Sequence, residues 1–168
     1  MGETRAVIAE NDMLREPKLE NGKAESVQTV CFVCTGNTCR SPMAAAVLNH
    51  LGKGKYRAFS AGLSVFGGDV ISPNSVKALE KAGIESTLDN PYKEHTAVQI
   101  NEQMMKMCDK VIGISASHTF NLMYNFQEFS DKISRMSEDI PDPFMYGEEI
   151  YYLCLEKIIA CIKQMFAL

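Results

Sequence analysis

The sequence predicts an α/β fold with three layers, α/β/α, built on a central four-stranded parallel sheet. Four short segments rich in apolar and β-branched residues alternate along the chain with longer segments of helical periodicity. The first of them, residues 30–33, is apolar throughout, as expected of a strand buried on both faces. Strands that alternate with helices are joined by right-handed crossovers, so the sheet should be parallel, with helices on both sides.

Local signals place the individual elements. Pro42 suits the first turn of a helix, and Gly83 suits the residue that ends one. The last helix is indicated by apolar residues three and four apart: Ile150, Leu153, Cys154, Ile158, Cys161, Ile162 and Met165. The predicted strands are residues 30–33, 56–61, 110–114 and 133–136. The predicted helices are residues 41–51, 72–82, 96–107, 117–126 and 148–165.

Length and composition indicate one domain, residues 27–168, after a polar N-terminal extension, residues 1–26. Within the extension, residues 6–9 weakly suggest a docking segment. The net charge is −4 without a basic cluster, which argues against nucleic acid as a partner. We expect no membrane span, because no apolar run approaches the required length. The chain starts without a secretion signal, so we expect a cytoplasmic location. The oligomeric state is not predicted.

Three of the six cysteines, Cys31, Cys34 and Cys39, cluster within nine residues. Cys31 and Cys34 have the spacing of a redox or zinc pair. However, Cys31 falls inside a predicted strand, and no second pair of Cys or His has ligand spacing, so we interpret it as a core residue and expect no metal. Cys154 and Cys161 lie in a helical pattern and are interpreted as small buried hydrophobes.

The segment that leaves the first strand predicts an anion site, because ligands bind at the carboxyl ends of parallel strands. Its backbone N–H groups and the N-terminus of the next helix can converge on a phosphoryl group. Gly36 permits a backbone conformation closed to other residues, and Asn37 tolerates a left-handed one. The Arg40 guanidinium suits two phosphoryl oxygens. The predicted phosphate-binding residues are Thr35, Gly36, Asn37, Thr38, Cys39, Arg40 and Ser41.

Cys34 is the predicted nucleophile. A helix N-terminus and a neighbouring arginine favour the thiolate form of a cysteine. A thiolate beneath an oxyanion cradle can attack phosphorus and form a phosphocysteine intermediate.

The string Cys34-Thr-Gly-Asn-Thr-Cys-Arg-Ser-Pro resembles the low-molecular-weight protein tyrosine phosphatase family, and most closely its bacterial protein-arginine phosphatase branch. The resemblance covers most of residues 28–166 and includes Ser60-Ala61-Gly62 and, later, His118. It implies that family's four-stranded fold, a cysteine nucleophile, a phosphorylated protein substrate and no metal or other cofactor. It also implies that His95 supports Asn37.

The resemblance implies that Asp142, in Asp142-Pro143-Phe144, is the general acid. A carboxylic acid above the pocket can protonate the leaving group, and its carboxylate can later take a proton from the attacking water. The other two histidines, His50 and His118, are interpreted as helix-end and helix-start residues.

Thr38 bears on the choice between phosphotyrosine and phosphoarginine. The resemblance associates threonine here with arginine phosphatases, and a larger aliphatic residue with most tyrosine-selective members. Apolar walls are expected from Leu63, Val65, Phe66, Phe144 and Tyr146. Cys39 is either a spacer or the partner of Cys34 in a reversible, protective disulfide.

Two other functions stay open. A thioredoxin-linked arsenate reductase shares the loop but needs two further redox cysteines in mid-chain, where the sequence has only Cys108. A non-catalytic phosphate-binding module would not need Cys34, Arg40 and Asp142 together.

Overall fold

A four-stranded parallel sheet forms the centre of the protein, with the spatial order β2-β1-β3-β4. The computed structural model describes residues 26–168. The strands are β1 (Gln28–Cys34), β2 (Tyr56–Gly62), β3 (Lys110–Gly113) and β4 (Ile133–Arg135). The helices are α1 (Arg40–Gly52), α2 (Pro73–Lys81), α3 (Glu102–Met107), α4 (Ala116–Asn125) and α5 (Glu148–Phe166). Two 3₁₀ segments, Tyr92–Glu94 and Gln127–Lys132, complete the connections.

Both faces of β1 are buried, which explains its unbroken apolar sequence. Val30 and Phe32 belong to the larger core, beneath α1, α2 and α5, whereas Cys31 and Val33 belong to a smaller core beneath α3 and α4. The predicted three-layer α/β/α architecture is therefore confirmed. Cys31 is fully buried, and its burial raises its thiol pKa well above the usual range. Because successive strand residues alternate in direction, Cys31 and Cys34 occupy opposite faces and cannot form a redox or zinc pair.

The predicted helix over residues 96–107 is wrong in its first half. Residues 96–100 run extended, and their backbone N–H groups donate to the end of β2 and to the loop after β1: Val98 N to Asn37 Oδ1 and Ile100 N to Gly62 O. Those bonds outweigh the weak helical periodicity of a β-branched segment. The helix starts at Glu102, where the Asn101 side chain caps Met104 N at 2.9 Å.

The buried face of α5 also differs from the prediction. Ile150 and Leu153 are exposed, whereas Tyr151 and Leu155 are buried. The buried face is rotated from the expected one because α5 packs across both α1 and α2. Within residues 26–168, no helix is long and apolar enough to cross a membrane. The possible docking segment at residues 6–9 lies outside the described residues.

Strand order and pairing place one loop at the centre of the sheet's carboxyl edge. β1 pairs with β2 on one side and β3 on the other, with Cys34 opposite Gly62 and Val33 opposite Gly113. Such a switch point opens a crevice above the central strand. Gly113 lets α4 pack closely against the end of β3, because a Cβ at this position would lie only 2.7 Å from the Thr119 backbone nitrogen.

Candidate active site

The Cys34 sulfur lies at the base of this crevice, where β1 ends, and is almost fully buried. It is 2.9 Å from the Oγ of Ser41, the second residue of α1. Asn37 Nδ2 donates to the same Ser41 oxygen at 2.9 Å. The Ser41 hydroxyl therefore accepts from the amide and can direct its own proton to the sulfur. A hydrogen bond of this kind stabilises an ionised thiol.

Asn37 shapes the loop through a buried side chain and a left-handed backbone, with φ 58°. Its amide also donates to Ser60 Oγ at 2.9 Å and accepts from Val98 N at 2.9 Å. His95 Nε2 donates to the Asn37 carbonyl at 2.8 Å, and burial lowers the pKa of this histidine. Two segments of chain, β2 and residues 95–98, thus support the loop.

Gly36 does not use the left-handed freedom that a glycine permits. Its φ lies outside the left-handed region, which within this loop only Asn37 occupies. A Cβ at Gly36 would meet no atom within 4 Å. The glycine required sterically is Gly62, where a Cβ would lie 2.6 Å from the Thr35 carbonyl oxygen. The sequence did not indicate this steric role of Gly62, because the contact is made between β2 and the loop after β1.

Arg40 and Asp142 form an ion pair, although 102 residues separate them. Arg40 Nη2 donates to Asp142 Oδ2 at 2.8 Å, and Nη1 donates to the Ile140 carbonyl at 3.2 Å. Arg40 is buried, whereas about half of the Asp142 side chain is exposed. Phe144 N donates to Asp142 Oδ1 at 3.1 Å, which orients the carboxylate. The predicted acid and the predicted oxyanion-binding arginine are therefore neighbours.

Cys39 faces the helical layer behind the loop, and the backbone of Thr38 is bonded to that layer. The Cys39 sulfur lies 3.3 Å from the hydroxyl of Tyr151, and burial raises the pKa of Tyr151 to about 12. The Thr38 carbonyl accepts from Ser72 N at 2.8 Å. Cys34 and Cys39 are both free thiols here, and their reversible disulfide stays a prediction.

His118 is a helix-start residue, as predicted, and it is buried in the first turn of α4; its contact with the loop was not predicted. Its Nε2 lies 3.0 Å from the Thr35 hydroxyl, and its Nδ1 lies 2.7 Å from the Ser115 hydroxyl. Its position just after β3 was the available signal, because that strand ends beside β1. Within residues 26–168, no cluster of His, Cys, Asp and Glu could hold a metal ion.

We expect His118 to make folding pH-dependent. Burial, and then the nearby Arg40 charge, lower its pKa from 6.5 to about 4. The unfolded chain therefore binds a proton near pH 6.5 that the folded chain refuses until about pH 4. As the pH falls from 6.5 to about 4, the free energy of unfolding should therefore decrease, and His118 should account for about 1–3 kcal/mol of that decrease.

Urea unfolding of wild type and His118→Gln at several pH values measures this effect. Glutamine reaches the position of Nε2 but does not titrate. The variant should lose less stability than wild type between pH 6.5 and pH 4, and parallel curves would contradict the prediction.

Comparison with known proteins gives a consistent picture. Residues 29–168 match the model of the family described as low molecular weight phosphotyrosine protein phosphatase. A protein-arginine-phosphatase of Geobacillus stearothermophilus is 29% identical, covering 81% of this chain and 92% of that protein. A low molecular weight protein tyrosine phosphatase structure from T. tengcongensis superposes with TM-score 0.76 at 31% identity, covering 83% and 98% of the two chains. An arsenate reductase of Bacillus licheniformis is 38% identical, but over only 53% of this chain and 58% of its own.

Proposed function

Since this chain belongs to the low molecular weight phosphotyrosine protein phosphatase family and is a cysteine-dependent protein phosphatase, we propose that Cys34 is its nucleophile. We assign phosphoryl binding to Arg40 and to the backbone of residues 35–41, and acid–base chemistry to Asp142. The observation that carries this assignment is the convergence of Ser41 on the Cys34 sulfur and of Asp142 on Arg40. The substrates are phosphorylated proteins.

In the first proposed step, the Cys34 thiolate attacks phosphorus and the bond from phosphorus to the leaving group breaks. Arg40 turns from Asp142 to the phosphoryl oxygens, which need a planar pair of donors. Asp142 acts in this step as a carboxylic acid and holds the proton that the leaving group needs. That proton passes to the departing atom, so the substrate side chain leaves with this atom protonated.

In the second proposed step, water attacks the phosphocysteine. Asp142, now a carboxylate, takes a proton from the water as the new P–O bond forms. The P–S bond breaks and the electron pair returns to Cys34, where the Ser41 hydroxyl donates to the sulfur. Inorganic phosphate leaves and Arg40 can pair with Asp142 again. This cycle uses no redox step and no metal.

The arsenate reductase alternative is weaker on both sequence and structure. Its relatives match only about half of this chain. Cys108, the only cysteine between Cys39 and Cys154, is buried, and its thiol donates to the Met104 carbonyl at 2.8 Å. A redox relay needs an accessible thiol next to the nucleophile. A purely phosphate-binding role would leave the pairing of Arg40 with an exposed carboxylate without a purpose.

For the substrate side chain we propose phosphoarginine. Thr38 is a half-buried residue of the loop, and its hydroxyl lies 3.6 Å from the Cys39 sulfur. A hydroxyl at this place can hydrogen-bond a guanidinium, whereas a larger aliphatic residue would pack against an aromatic ring. The similarity to a named protein-arginine-phosphatase supports the same choice. Exposed Phe66, Phe144 and Tyr146 would contact the rest of the substrate.

The test compares hydrolysis of a phosphoarginine peptide and a phosphotyrosine peptide. We expect wild type to prefer phosphoarginine, and Thr38→Ile to shift the ratio of the two kcat/KM values toward phosphotyrosine by at least about tenfold. Thr38→Val removes the hydroxyl with little change in size, so it separates hydrogen bonding from bulk. A wild-type preference for phosphotyrosine would refute the substrate proposal and leave the phosphatase mechanism standing.

We also propose a cytoplasmic location, because a free thiol nucleophile requires reducing surroundings. Residues 27–168 should suffice for activity, since every site residue lies within them.

A further inference from the structure

His118 links α4 to the phosphate-binding loop. The ring is 5% exposed and lies between two hydroxyl groups, that of Thr35 at Nε2 and that of Ser115 at Nδ1. The Ser115 hydroxyl is in turn 3.0 Å from the Ser117 hydroxyl. A chain of hydrogen bonds therefore runs from the start of α4 to the residue that follows Cys34.

The surroundings keep this ring neutral. Burial and the Arg40 guanidinium disfavour its charged form, whereas the Asp142 and Asp139 carboxylates favour it less strongly, so the pKa falls to about 4. A neutral imidazole has one N–H donor and one acceptor nitrogen. A hydroxyl can take either role, so both ring nitrogens are satisfied by their neighbours. An additional positive charge beside Arg40 is thereby avoided at neutral pH.

Thr35 needs such a partner because its side chain stands at the open edge of the loop. Its backbone carbonyl accepts from Ser64 N at 3.0 Å, which fixes the loop on the β2 side. The residue is otherwise exposed. The His118 contact fixes the opposite side, toward β3 and α4.

We propose that His118 is a positioning residue for catalysis. By holding the Thr35 hydroxyl, it keeps the backbone N–H groups next to Cys34 directed at the phosphoryl oxygens. This inference rests on the proposed function of the loop. It assigns His118 no proton transfer and no contact with the substrate.

Two amide substitutions separate positioning from simple packing. Asparagine places its amide near the position of Nδ1 and keeps the contact with Ser115. Glutamine reaches the position of Nε2 and keeps the contact with Thr35. We expect His118→Asn to raise the Ki of inorganic phosphate and orthovanadate about five- to twentyfold and to lower kcat. We expect His118→Gln to stay within about twofold of wild type.

A second pair of variants tests the same bond from Thr35, an exposed position at which the fold tolerates a substitution. Thr35→Val should raise the two Ki values as His118→Asn does. Thr35→Ser keeps a hydroxyl and should give the wild-type Ki values. The double variant Thr35→Val/His118→Asn should have the same Ki values as either single variant, because each substitution removes the same hydrogen bond. His50→Asn makes the same substitution at an exposed histidine of α1 and should leave both Ki values unchanged.

Equal losses in the Asn and Gln variants, or additive losses in the double variant, would overturn the inference. An unchanged Ki in His118→Asn, with wild type binding vanadate normally, would overturn it while sparing the proposed function. If wild type neither bound vanadate nor hydrolysed either phosphopeptide, the proposed function would fail and this inference with it.

Discussion

Replacing Cys34 with serine is expected to lower kcat by about 10⁴-fold or more while the fold stays intact. Serine keeps the hydrogen bond to Ser41, so the buried site should not collapse. Its hydroxyl is a far weaker nucleophile than a thiolate, and the alkoxide is a poorer leaving group in the second step. Steady-state hydrolysis of a phosphopeptide, with thermal unfolding of the same samples, measures both halves of this expectation.

Cys108→Ser is a matched control for this change. It makes the same substitution in a buried cysteine whose thiol already donates to a carbonyl, which a serine hydroxyl can also do. It should keep the wild-type rate. Turnover above about a tenth of wild type in Cys34→Ser would refute the assignment of the nucleophile.

Asp142→Ala should lower kcat by about 10²- to 10⁴-fold, the usual contribution of a general acid or base. The loss should be largest for substrates with basic leaving groups, because those depend most on protonation. Since Asp142 pairs with Arg40 in the free enzyme, its removal should not weaken binding of inorganic phosphate. A series of aryl phosphates, together with the Ki of phosphate, measures both effects.

Asp131→Ala serves as the control, because that exposed carboxyl precedes β4 at the opposite edge of the sheet. An equal loss across all leaving groups would refute the acid role of Asp142. A large rise in the phosphate Ki would show instead that Asp142 mainly maintains the position of Arg40.

The sheet could be predicted because its signals are local. The continuous apolar run of β1 reflects burial on both faces. Pro42 favours the first turn of α1 independently of what that helix packs against. The helix over residues 96–107 could not be delimited in this way. Its first half is held extended by bonds to Asn37 and Gly62, residues that are far away in sequence.

The active site also contains residues that local sequence could predict and residues that only the fold brings together. Cys34, Arg40 and Ser41 lie close together in sequence, at the junction of β1 and α1, so their association follows from their spacing. The resemblance pointed to Asp142, and only the structure shows that it pairs with Arg40. The role of Gly62 and the burial of His118 depend on how β2 and α4 meet the loop, and no spacing rule encodes those contacts.

The ion pair between Arg40 and Asp142 also has a consequence for inhibitor design. A simple oxyanion that takes over the guanidinium leaves the Asp142 carboxylate beside a second negative group, which opposes binding. A compact zwitterion, with a phosphonate next to a cationic nitrogen, would give each member of the separated pair a new partner. Such compounds should bind more tightly than phosphonates of equal size that lack the cation, and high salt should reduce their advantage.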